Sequence, residues 1–236
     1  MGRLARRLFS LAGDEQVFLR ALAAVPDGPM RRRMEEIAHS FSAGCHAALE
    51  QPRPGPLATR LARAEPELQG FAYEGAGLGL ALLDAMTPWR RHRLRDFIAG
   101  PGSPQTYMLH VGAGWVMGRL PIPWGPFLSR LDPILRWFTF DGLGFHDAFF
   151  HGRRIVDRAL PPRRVFGCAL RSFDTGVGRR LWLLPGPGVS HVARLVAAFP
   201  ASRHGDLWTG VGKACAFAGG CDAAAIEEIL EDAGPH

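Results

Sequence analysis

With 236 residues, 47% of them apolar and 21% charged, the chain has the balance of a folded core, which excludes an intrinsically disordered segment. Its 28 basic and 22 acidic residues give a formal charge of +6, carried by arginine except at Lys213. The arginines cluster only weakly, at Arg3/Arg6/Arg7, Arg31 to Arg33, Arg90/Arg91/Arg93/Arg95, Arg153/Arg154/Arg158 and Arg163/Arg164, and never interleave with aromatics as a nucleic-acid groove requires.

Residues 1–50 carry helical spacing, first at Phe18, Leu19 and Leu22 and then at Met34, Ile37, Ala38 and Phe41, and they read as an N-terminal helical extension. The basic start breaks at Gly13-Asp14-Glu15, too early for a signal peptide. Gln51-Pro-Arg-Pro-Gly-Pro56 is a breaker, and 57–236 read as a helical repeat domain of about five helix pairs. The expected pairs are 57–68 with 71–86, 89–99 with 106–120, 125–137 with 138–153, 165–172 with 173–184, and 189–199 with 206–219, closed by Gly219-Gly220. Asp222 is the expected N-cap of a last helix over 223–232. That helix reads as half of a sixth pair, so the array is expected to stop short or to dock on something else. No stretch reaches the ~20 apolar residues of a membrane helix. Cys45, Cys168, Cys215 and Cys221 lack C-x-x-C spacing, so reduced thiols and a cytoplasmic location are expected.

Five Gly-x-Gly doublets punctuate the second member of each pair: Gly75/Gly77, Gly112/Gly114, Gly142/Gly144, Gly176/Gly178 and Gly210/Gly212. A glycine inside a helix costs about 1 kcal/mol relative to alanine, so ten forfeit on the order of 10 kcal/mol, comparable to a domain's net stability. Either close backbone packing or room for a ligand must offset that. The fold expected is all-α, a helical-hairpin repeat array (solenoid or α/α toroid-like) with glycine-rich inner helices.

Two residues before each doublet stand Tyr73, His110, Phe140, Asp174 and Trp208, one helical turn from the second glycine and on its face. Glu74 and Asp141 lie next to that row. Glu74, His110, Asp141 and Asp174 are therefore candidate catalytic residues for acid–base work; the alternative is that the carboxylates satisfy helix ends or pair with Arg179 and Arg180. Asp147 and His151, four apart, share a face, whereas His146 and His151, five apart, are strained as joint metal ligands on one helix. No metal and no cofactor is expected. Tyr73, Trp115, Phe140, His146, Asp147, His151, Arg179 and Trp208 are candidate binding residues. Gly75-Ala-Gly-Leu-Gly79 is not G-x-G-x-x-G, Gly210-Val-Gly-Lys213 lacks the rest of a P-loop, and no G-x-S-x-G exists.

At Gly70-Phe-Ala-Tyr-Glu-Gly-Ala-Gly, Leu-Leu-Asp84-Ala-Met-Thr-Pro-Trp89, Tyr107-Met-Leu-His-Val-Gly-Ala-Gly-Trp115, Phe140-Asp-Gly-Leu-Gly-Phe-His146 and Leu207-Trp-Thr-Gly-Val-Gly, the chain resembles a bacterial domain-of-unknown-function family, DUF1702, that recurs in enediyne antibiotic gene clusters. The resemblance covers nearly the whole chain and brings no catalytic residues with it. It implies relatives that run on past His236, and an accessory cytoplasmic protein working near a polyketide synthase. The function expected is binding or processing of a long apolar polyene or other polyketide intermediate in a helix-lined pocket. The alternatives are a non-catalytic helical scaffold docking other biosynthetic proteins and, more remotely, a terpene-cyclase-like α/α barrel enzyme, whose aspartate-rich motifs are missing.

Overall fold

Helices, 3-10 turns and connecting segments account for the described residues of the computed structural model, 27–87, 89, 92–183, 189–219 and 222–234, and no strand occurs among them. The all-α expectation holds. The helical spacing at Phe18, Leu19 and Leu22, the clusters at Arg3 to Arg7 and at Arg90/Arg91, the end of the fourth pair at Leu184, Gly220 and Cys221 lie outside the described residues.

The chain divides into two units, one over Glu35–Thr139 and one joining 27–34 to 140–234. The Gln51–Pro56 breaker falls inside the first. That unit takes most of α1 (Pro29–Glu50), then α2 (Pro54–Leu61), α3 (Pro66–Met86), α4 (Arg93–Ile98), α5 (Thr106–Arg119) and α6 (Trp124–Leu128). The second takes most of α7 (Phe138–Phe150), then α8 (Gly152–Ile155), α9 (Cys168–Trp182), α10 (Val189–Ala197), α11 (His204–Ala218) and α12 (Ala223–Ala233).

Two kinds of helix alternate. In α3 every residue from Ala72 to Asp84 is buried, and in α5 every residue from Met108 to Met117, as befits helices apolar on all sides. The shorter helices are amphipathic: α2 buries only Leu57 and Leu61, α4 only Leu94 and Phe97, and α10 only Val189, Val192 and Val196. Proline at the first turn starts α2 and α3, where the missing N–H leaves no bond unmade.

All five glycine doublets lie inside the long helices. A methyl group added at Gly77 of α3 would fall on the Leu109 carbonyl of α5, and one at Gly112 of α5 on the Glu74 carbonyl of α3. The same reciprocity joins α9 to α11, through Gly178 over Leu207 and Gly210 over Thr175, and α7 to α9, through Gly144 over Phe173 and Gly176 over Asp141. In every case the carbonyl belongs to the residue three before the partner glycine. In these pairs the first glycine of a doublet faces the preceding long helix and the second faces the following one. Backbones this close replace side-chain burial with main-chain contact, including Cα–H···O contacts of about 0.5–1 kcal/mol each.

The helix α1 joins in by the same rule. Its Gly44 sits over the Ala72 carbonyl, and Gly75 sits over the Phe41 carbonyl. At the other end, Gly212 of α11 faces open space.

Candidate functional site

Long helices buried on every side carry their polar residues inward, and those residues must be partnered there or lose stability. In the second unit Asp141 of α7 is 1% exposed and lies 2.8 Å from Nε of Arg179 on α9 and 3.4 Å from Nζ of Lys213 on α11. Asp174 of α9 is fully buried and receives two bonds from Arg203, from Nε at 2.8 Å and from the terminal Nη2. Arg203 also donates to the Ala159 carbonyl at 2.6 Å and lies over the Phe199 ring at 5.0 Å. Burial pushes the Asp174 carboxyl above its ordinary value, against the pull of Arg203.

Arg180, one residue beyond Arg179, is also buried and stacks over Phe149 at 4.8 Å. No carboxylate among the described residues pairs with it, and burial alone brings its guanidinium down to about 10. The alternative set out above, a site carboxylate paired with Arg179, is thus seen at Asp141, whereas Arg180 pairs with an aromatic face. Arg203 and Lys213 were missing from the sequence-derived site. They stand 29 and 72 residues from their aspartates, and no local spacing links such pairs.

A second cluster closes the same helix. His146 Nδ1 lies 2.9 Å from Asp147 Oδ1, and His151 Nδ1 lies 3.5 Å from that same oxygen. His146 and Asp147 are buried, while His151 is open to solvent. On one continuous helix, residues five apart point away from each other, but α7 ends at Phe150. His151 is the N-cap of α8, with φ −123° and ψ 32°, and this break turns its ring back to 6.1 Å from that of His146. Phe140 and Trp208 are buried elsewhere in this unit.

In the first unit Tyr73, Glu74, His110 and Trp115 are all buried. The Tyr73 ring stacks 6.1 Å from Phe97, and the Trp115 ring lies 4.7 Å from Phe41. His110 Nδ1 is 2.8 Å from the Thr106 carbonyl, so that nitrogen carries the proton and donates it. The Nε2 lone pair has no hydrogen-bond partner among the described residues. Burial holds the His110 pKa below its ordinary value, with the Thr106 carbonyl and Asp132 acting in the other direction.

A small cleft in the first unit is lined by Ala81, Leu94, Ile122, Phe127, Leu131 and Arg130 and has a volume of about 110 Å³. Asp84, in its wall, accepts hydrogen bonds from the backbone of Arg93 and Leu94 and from the Arg93 guanidinium. None of the twelve sequence-derived site residues lines this cleft.

Among the described residues no helix is long and apolar enough to cross a membrane. No curated protein and no solved structure matches the chain. The profile of a protein family of unknown function, DUF1702, matches residues 1–236 from end to end, and the chain belongs to that family.

Proposed function

We propose that the chain is a non-catalytic helical-repeat platform that docks other proteins, and that its partners are enzymes of a polyketide-type pathway such as enediyne assembly. The observation that carries this reading is the state of the two buried aspartates. A general base needs a lone pair within reach of its substrate. Asp141 and Asp174 are almost fully buried and already held by Arg179, Lys213 and Arg203.

The repeat reading rests on recurrence. A 3-10 turn leads into α5 at Ser103–Gln105, into α7 at Leu135–Trp137 and into α11 at Ala201–Arg203, and a short helix precedes each. Solenoids of stacked helix pairs offer extended binding surfaces. Large apolar side chains stand exposed at Trp89, Ile134, Phe166 and Leu230, and the aromatic ones are of a kind enriched at protein interfaces. The 110 Å³ cleft beside Asp84 is too small for a long polyene, since sites for drug-sized ligands run from about 300 Å³ upward.

Light scattering on a mixture with a purified enediyne-type polyketide synthase is expected to show a complex, and native mass spectrometry of the protein alone is expected to show the bare chain. A polyene carried through purification, or no association with the synthase, would contradict the platform.

A further inference from the structure

We propose that His146, Asp147 and His151 bind one divalent transition-metal ion of the zinc type. The inference is independent of the docking role.

Three observations carry it. The first is the donor set, two imidazoles and a carboxylate, which is the chemistry that zinc and its neighbours take in sites with an open position. The second is geometry. Ligand atoms about 2.0–2.1 Å from a tetrahedral ion stand roughly 3.3 Å apart, and Asp147 Oδ1 lies 2.9 Å from His146 Nδ1 and 3.5 Å from His151 Nδ1. The three donor atoms all lie within 4.8 Å of one another. The remaining closure falls to the exposed His151 ring, the member of the set with room to turn.

The third observation is charge. Asp147 is only 7% exposed, and the groups that meet its carboxylate are the two histidines; no lysine or arginine among the described residues pairs with it. Asp141, Asp174 and Asp84 each have a permanent cation beside them. A buried carboxylate met by imidazoles has no permanent cation beside it, and a metal ion held by all three supplies one. With three protein ligands, at least one coordination position is left for water or an anionic ligand on the solvent side of His151.

The test uses the whole chain stripped with a chelator and titrated with Co²⁺, then with Zn²⁺ as competitor. One equivalent of Co²⁺ is expected to give the visible bands of a low-symmetry four- or five-coordinate site, and Zn²⁺ is expected to bleach them. His151 is exposed, so His151→Ala should fold as the parent does, which circular dichroism will check. It is expected to weaken binding more than about 10-fold, the least that even an outer-shell change costs. His191→Ala, on α10, serves as the control and should leave binding unchanged. Asp147→Asn should also lose the Co²⁺ bands. Parent and His151→Ala binding metal equally well, or a parent that shows no such bands at stoichiometric Co²⁺, would overturn the site.

Discussion

His110 shows how burial alone changes the behaviour of a side chain. Its Nδ1 proton is committed to the Thr106 carbonyl, its Nε2 is enclosed, and burial holds its pKa below the ordinary 6.5. The unfolded chain therefore takes up a proton at a pH where the folded chain still refuses it. Stability is expected to be full above about pH 6.5 and to fall as the pH drops from there towards the folded pKa, by at most about 1.4 kcal/mol per pH unit from this one group. His110→Asn keeps a donor towards Thr106 and removes the titration, so urea midpoints measured from about pH 7 to pH 5 should show a flatter acid limb. An unchanged limb would show that His110 does not resist protonation. The residues themselves were legible in the sequence, because a polar side chain amid apolar neighbours is conspicuous. Their partners were not: the arginine that holds Asp174 comes from a turn 29 residues away, and only the folded chain brings it there.

Among the elements, α4 shows how a short helix is held. Six residues are too few to be helical alone. Asp84, at the end of the long helix α3, supplies what is missing by accepting from the backbone N–H groups of Arg93 and Leu94 and pairing with the Arg93 side chain. Read along the sequence, Asp84 only interrupts an apolar run; in the fold it ties the first turn of the next helix to α3. Asp84→Ala is expected to cost about 3 kcal/mol or more, because it leaves two backbone N–H groups of the turn without their acceptor and takes the carboxylate from beside the Arg93 guanidinium, which keeps its bond to Thr87. Amide exchange over 93–98 should accelerate first, and unchanged protection there would refute the tie. The breakers and the apolar periodicity made the helix order legible, but two features escaped. The turn at His151 was hidden because its one local mark, Gly152, lies within the helix expected over 138–153. The kinship of α1 with the other long helices was hidden because it carries only half a doublet, Ser42-Ala43-Gly44, and a search for paired glycines passes over it.

At the scale of the whole molecule one rule of contact recurs within each unit: at the pairs Gly44/Gly75, Gly77/Gly112, Gly144/Gly176 and Gly178/Gly210, each glycine lies over the carbonyl three residues before its partner. A facing glycine thus weakens its own helix and strengthens the pair, and its cost is offset only where a neighbour occupies the space it leaves. The recurrence itself was visible in the sequence as a period of 30 to 37 residues. Its reciprocity was not, since spacing cannot tell which of two glycines faces which neighbour. The molecule contains its own control, because Gly212 occupies the second position of a doublet and faces open space. Urea unfolding of Gly112→Ala, Gly176→Ala and Gly212→Ala compares the two situations directly. The account predicts that the first two lose about 3 kcal/mol or more, because a backbone carbonyl must move, while the third gains about 0.5–1 kcal/mol as an exposed helical glycine replaced by alanine should. Gly112→Ala and Gly176→Ala proving as benign as Gly212→Ala would contradict it.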